Sequence, residues 1–230
     1  VKWKFNVRKM FNLHKKPKLN KKKATADEIT PAENAPAENA PEGRFMPKVT
    51  LAEIKDMAKT VQGSIHHVYL HWSAGHYGQF FDDYHLNIDQ DGSIYASTTD
   101  LSEHKDHTYM RNMGAVGVAL ACCFGATTED FGEAPPTNLQ IESMAQVTAV
   151  LCSELGLQVD THHVLTHAEA ANNLDGENPG YEPNGFPDGK YGPGYSCERW
   201  DLWFLHKGDP QWSGGDTLRG KAIWYLQNGV

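Results

Sequence analysis

The sequence predicts an α/β fold built on a single mixed β-sheet flanked by helices. Three observations carry that prediction. Short apolar, β-rich runs occur at His66–His71 and Val116–Cys123, a turn signal at Asp91-Gly92 separates two further strand-like runs, and Asn138–Leu155 repeats its apolar residues at helical spacing. Strands interleaved with helices imply layers of helix on sheet.

The elements follow in chain order. Thr50 is placed to cap a helix running through Lys59, with Glu53 three residues on completing a capping box. His66–His71 reads as a buried strand. Tyr84–Ile88 and Ser93–Ala96 read as the arms of a hairpin about Asp91-Gly92. Val116–Cys123 is the central strand, on which the adjacent Cys122 and Cys123 point to opposite faces. In Asn138–Leu155, Ile141, Met144, Leu151 and Leu155 share the apolar stripe, and Gly156 ends the helix. Residues 217–227 read as a closing helix. The stretch Asn172–Ser196, punctuated by glycines and prolines, reads as a long functional loop forming one wall of a cleft.

Composition divides the chain into three zones. Residues 1–23 carry ten Lys or Arg and no acid, whereas the other 207 residues hold 11 basic and 29 acidic groups. Trp3, Val7, Met10 and Phe11 lie on one stripe, so this arm is either a basic amphipathic helix suited to an anionic membrane or envelope surface, or a solubilising tail. Residues 24–44 are a Pro/Ala/Glu/Asn linker, in which Pro31-Ala32-Glu33-Asn34-Ala35 returns as Pro36-Ala37-Glu38-Asn39-Ala40. Residues 45–230 form the folded domain, beginning near Phe45.

An acidic body has no surface for releasing counterions from phosphates, so nucleic acid is excluded as its partner. No apolar run reaches the roughly 20 residues of a membrane-spanning helix. Residues 1–23 lack the continuous apolar stretch of a standard secretory signal, and the Val1 start leaves open whether an earlier segment has been removed. Cys122, Cys123, Cys152 and Cys197 show no metal-binding spacing and are too few for a disulfide framework. The first three read as small core hydrophobes.

The chemistry concentrates in His71-Trp72-Ser73-Ala74 at the end of an apolar strand, His167 in Thr166-His167-Ala168-Glu169, and Arg199-Trp200-Asp201. Two imidazoles and a carboxylate are a ligand set for a catalytic Zn2+, which keeps its fourth position for water. His67 shares a face with His71 and is a candidate to support it, while His162 and His163 read as structural.

These residues, in this order and with these flanks, resemble the zinc-dependent N-acetylmuramoyl-L-alanine amidase family, which includes T7-type phage lysozymes, AmpD-like bacterial amidases and peptidoglycan recognition proteins. The resemblance spans roughly residues 65–205. It implies an amidase/peptidoglycan recognition protein-like sheet and one catalytic zinc on His71, His167 and Asp201, with Cys197 as the alternative third ligand. Arg199 stands where relatives carry a lysine two residues before the aspartate. Tyr84-His85 with Asp91-Gly92 resembles the hairpin of T7-type members, which implies a cleft-facing Tyr84. Tyr84 and Arg199 are thus the candidate catalytic residues, and His107 and Trp72 the candidate substrate-binding ones. Ala119 replaces the glutamate of AmpD-like members, and Leu202-Trp203 replaces the usual Pro-Gly.

The expected reaction is zinc-assisted cleavage of the amide joining the lactyl group of N-acetylmuramic acid to L-alanine of the stem peptide. Peptidoglycan or muropeptides are the expected substrate, and the chain is expected to act on the cell wall as a monomer. A phage origin implies a cytoplasmic enzyme until lysis, and a bacterial one an exported enzyme. The alternatives are a non-catalytic peptidoglycan-binding module, or a zinc peptidase acting elsewhere on the stem peptide. Retention of both histidines and an acid disfavours the first, and the His-Trp-Ser-Ala and Tyr-His contexts disfavour the second.

Overall fold

The computed structural model describes residues 46–127, 130–177 and 200–230. The basic arm of residues 1–23 and the linker of residues 24–44 lie outside the described residues, as do Cys197 and Arg199.

Six strands form one mixed sheet: β1 (Lys48–Val49), β2 (His67–Trp72), β3 (Leu86–Ile88), β4 (Ile94–Ala96), β5 (Ala115–Leu120) and β6 (Val164–Thr166), in the order β1-β4-β3-β5-β2-β6. β3, β5, β2 and β6 run parallel, and β4 and β1 add antiparallel neighbours at one edge. The helices are α1 (Leu51–Thr60), α2 (Asn138–Leu155), α3 (His167–Ala171) and α4 (Ser213–Asn228).

Local signals start and stop the first two helices. Thr50 and Glu53 make the expected reciprocal capping box on α1, and Thr137 with Gln140 makes another on α2. α2 ends at Gly156, whose φ of 72° only glycine adopts without strain. The hairpin turns through Gly92, with the Asp91 carboxylate accepting hydrogen bonds from the Ser93 N–H and hydroxyl.

The strands alternate in residue size. Val68, Leu70 and Trp72 of β2 join Val116, Val118 and Leu120 of β5 in the main core, which also includes α2 residues Ile141, Met144 and Leu151. The opposite face presents Tyr69 and His71 beside Ala115, Gly117 and Ala119. That row of small residues leaves space above the sheet. A smaller cluster of Tyr69, Ala115, Leu165 and Ala170 fills part of this face.

Three expectations are corrected here. β5 ends at Leu120, so Cys122 and Cys123 lie beyond the strand. Cys123 has φ +71°, and the two sulfurs are 3.4 Å apart in the core rather than on opposite faces. α4 begins at Ser213, four residues earlier than the periodicity indicates. Its first turn contains Gly214 and Gly215, poor helix formers that hide the start from a propensity reading. Finally, Thr166-His167-Ala168-Glu169 is a capping box that opens α3 directly after β6, two short elements that the sequence reading did not separate.

Candidate metal centre

Strand register brings the two histidines together. β2 and β6 pair in parallel with Leu70 opposite Thr166, so the next residues, His71 and His167, emerge side by side at the carboxyl ends of neighbouring strands. In open α/β sheets that end is where ligands bind. The ring centroids of His71 and His167 are 4.7 Å apart.

Asp201 reaches both imidazoles. Its Oδ1 is 3.0 Å from His167 Nδ1 and its Oδ2 is 3.2 Å from His71 Nδ1. His71 is wholly buried and Asp201 is 5% exposed. The backbone that presents Asp201 turns through Leu202 at φ +60°, a conformation costing a leucine about 1–2 kcal/mol. Packing supports the turn, for a Cβ on Gly214 would lie 1.9 Å from the Leu202 carbonyl oxygen.

A second device holds His167. Thr166 and Glu169 cap α3 reciprocally, and both carboxylate oxygens of the buried Glu169 accept from Arg219 of α4 at 2.8 Å. Arg219 also donates to the Val164 carbonyl of β6 at 2.9 Å. Gly215 gives this pair its room, since a Cβ there would come within 2.2 Å of Glu169 Oε1.

Electrostatics prepare His71 and Asp201 for a cation. Burial pushes the His71 imidazole down to about 4, against the opposing pull of Asp201, so it is neutral near pH 7. Burial opposes ionisation of Asp201, but attraction to His167, the hydrogen bond it makes with that ring and the nearness of His71 outweigh it and hold the carboxyl below its ordinary range. A neutral imidazole at His71 and an ionised carboxylate at Asp201 are the protonation states that metal ligands require.

The fit to a metal can be tested on unmet bonding capacity. His71 Nδ1 and Asp201 Oδ2 are buried and, although 3.2 Å apart, make no hydrogen bond with each other or with another group. One ligand atom from each of His71, His167 and Asp201 lies within 4.8 Å of the others. A two-nitrogen, one-oxygen set fits zinc with one position left open. His67, Asp175 and Glu177 form another such group. There, however, Arg111 already holds Asp175, and His67 Nε2 bonds Glu177 at 2.8 Å, so its acidic groups are already paired.

Two of the three candidate ligands, His167 and Asp201, line a cleft of about 390 Å³ together with Trp72, Tyr84, Phe124 and Trp200, and His71 is enclosed beside them. A larger cavity of about 600 Å³ between α2 and α4 contains none of these residues, so the donor set identifies the site rather than cavity size. Tyr84 sits with its ring 5.1 Å from that of His71. Burial, together with the nearby charge of Asp201, pushes its hydroxyl well above the ordinary phenol value, so Tyr84 stays a proton donor. Trp72 touches the cleft but is 7% exposed and packs edge-on against Phe131, which limits what it can offer a substrate.

Other candidates fall elsewhere. His107 is not among the cleft-lining residues; it is buried behind His71, with ring centroids 5.3 Å apart. It lies over Gly117, where a Cβ would come within 2.6 Å of its ring. His67 does not bond His71; it stacks on Tyr69 and pairs with Glu177. His85 donates to the Glu103 carbonyl and accepts from the Gly117 N–H, a structural bridge. Asp160 accepts from the backbone of His162 and His163, in keeping with a structural role for both. Most of the expected loop wall, residues 178–199, lies outside the described residues. Thr108, Glu169 and Arg219 were missed as supporting residues, although the Thr-x-x-Glu box and the alternating Ala-Val-Gly-Val-Ala of β5 were legible signals.

The family model described as N-acetylmuramoyl-L-alanine amidase (Amidase_2) matches residues 57–181. That match includes both histidines and ends before Asp201. No curated protein matches the chain. Among solved structures, the endolysin amidase LysCS from Clostridium intestinale URNW is 17% identical, with 54% of this chain and 79% of that one covered and a TM-score of 0.34. The amidase LysC from the same organism gives 17%, 54%, 80% and 0.34. The Drosophila peptidoglycan recognition protein SA gives 16%, 45%, 67% and 0.33. Likeness at this level speaks to neither chemistry nor partners.

Proposed function

Because this chain belongs to the N-acetylmuramoyl-L-alanine amidase family, we propose that it hydrolyses the amide between the muramic acid lactyl group and L-alanine of peptidoglycan stem peptides, with one zinc held by His71, His167 and Asp201. The observation that carries this reading is the convergence of two imidazoles and a buried carboxylate, of which His167 and Asp201 line a cleft. An ion bound there supplies a Lewis acid for the scissile carbonyl and a water acidic enough to act as nucleophile near pH 7.

The protein groups do the rest. The cleft gives the stem amide access to the side lined by His167 and Asp201, and the walls at Trp72, Phe124 and Trp200 limit how a glycan and peptide can lie. Tyr84, kept protonated by its surroundings, donates a hydrogen bond to the carbonyl oxygen as negative charge develops, or a proton to the departing amine. Arg199, two residues before Asp201, is assigned to the same developing charge on the strength of its spacing alone. Ala119, directly beside His71 on β5, offers no carboxylate base, which places more of the proton transfer on Tyr84.

The test is cleavage of purified muropeptides with and without chelator, the new termini being identified by mass. We expect chelation to stop cleavage and added zinc to restore it. His71→Ala, His167→Ala and Asp201→Ala should each lose both bound zinc and activity. Activity that survives in Asp201→Ala but is lost in Cys197→Ser would transfer the third ligand to Cys197. Cleavage at another stem-peptide bond would favour the peptidase alternative. Zinc-independent binding of muropeptides without cleavage would favour the recognition module.

A further inference from the structure

Thr108 is buried, 3% exposed, directly behind His71. Its hydroxyl oxygen lies 3.3 Å from His71 Nε2 and 2.9 Å from His107 Nδ1. Its backbone N–H donates to Asn112 Oδ1 at 2.7 Å, which anchors the residue from the far side. His107 is seated in turn over the bare backbone of Gly117. Thr108 therefore links an imidazole of the metal centre to one outside it.

Proton counting sets the direction of this link. His71 turns Nδ1 toward Asp201, and that nitrogen must be unprotonated to ligate a metal. A neutral imidazole then carries its proton on Nε2, which donates to the Thr108 oxygen. The single hydroxyl proton of Thr108 is left to donate to His107 Nδ1, and His107 keeps its own proton on Nε2. We propose that Thr108 is a positioning residue for zinc: its hydroxyl, backed by His107, selects the His71 tautomer that leaves Nδ1 open to the ion.

This inference rests on the zinc reading of the site. It accounts for a threonine where a valine would fill the same space, because only the hydroxyl both accepts from His71 and donates onward. His107 Nε2 is buried without a hydrogen-bond partner, so the chain of hydrogen bonds ends there.

The experiment measures zinc affinity by competition with a chromophoric chelator, independently of any cleavage. Thr108→Val should weaken zinc binding by about ten- to a hundredfold, the usual cost of losing a partner that orients a ligand. Thr108→Ser, which restores the hydroxyl, should recover most of that affinity. Nitrogen-15 NMR of the zinc-loaded natural chain should show His71 and His107 both protonated at Nε2. Folded Thr108→Val binding zinc as tightly as the natural chain would overturn the proposal. So would His107 protonated at Nδ1 in the zinc form, a measurement that needs no substitution if Thr108→Val does not fold. Zinc binding with the expected tautomers but no cleavage of muropeptides would support this inference while refuting the amidase reading.

Discussion

At the scale of single residues, the centre separates groups that bind from groups that act. His71 and Asp201 are almost wholly enclosed, whereas Tyr84 is only partly buried and faces the cleft. Tyr84→Phe removes one hydroxyl from that wall and touches no proposed ligand. It should leave zinc content unchanged and lower kcat by roughly a hundred- to a thousandfold, the range seen when an oxyanion donor is lost. Steady-state kinetics on a soluble muropeptide, with metal analysis of the same sample, checks this. An unchanged kcat would move the donor role to Arg199, whose replacement by alanine should then show the same loss.

At the scale of elements, the centre depends on how α3 and α4 meet. Glu169 and Arg219 are buried partners 50 positions apart, joining the helix that bears His167 to the C-terminal helix. Arg219→Ala leaves a buried carboxylate without its cation, which costs about 3–5 kcal/mol in comparable sites. Urea denaturation should register that loss, and a change below about 1 kcal/mol would show that Glu169 finds another partner. Buried His85 contributes to the acid sensitivity of the fold. Burial, opposed by the Glu103 carbonyl, holds His85 down to about 4 in the folded chain, against about 6.5 when unfolded. A depressed value means that the unfolded state takes up protons first, so stability is full above about pH 6.5 and falls as the pH drops toward 4. Denaturation midpoints measured across that window should decrease steadily, and a flat profile would contradict a buried neutral His85.

At the scale of the whole molecule, residues 1–44 contain no proposed ligand and concentrate ten cations in their first 23 positions. Their deletion should leave cleavage of soluble muropeptides nearly unchanged and weaken action on intact anionic envelopes, most strongly at low salt where charges are least screened. Equal lysis of whole cells by full and truncated chains at low salt would make this segment a solubilising tail, and loss of soluble-substrate activity would move the domain boundary. The sequence by itself determined the α/β class, the capping box of α1, the Gly156 end of α2, and His71, His167 and Asp201 as the candidate ligands. Each of those signals resides in near neighbours or in a motif order that can be read along one dimension. Only the tertiary structure decided that His107 lies behind the centre rather than in the cleft, that Leu202 turns left-handed because Gly214 gives it room, and that Arg219 braces the helix of His167. Those outcomes depend on which groups meet across 12 to 50 positions of chain and on the space left between them. Packing creates these relations, and local propensity does not record them.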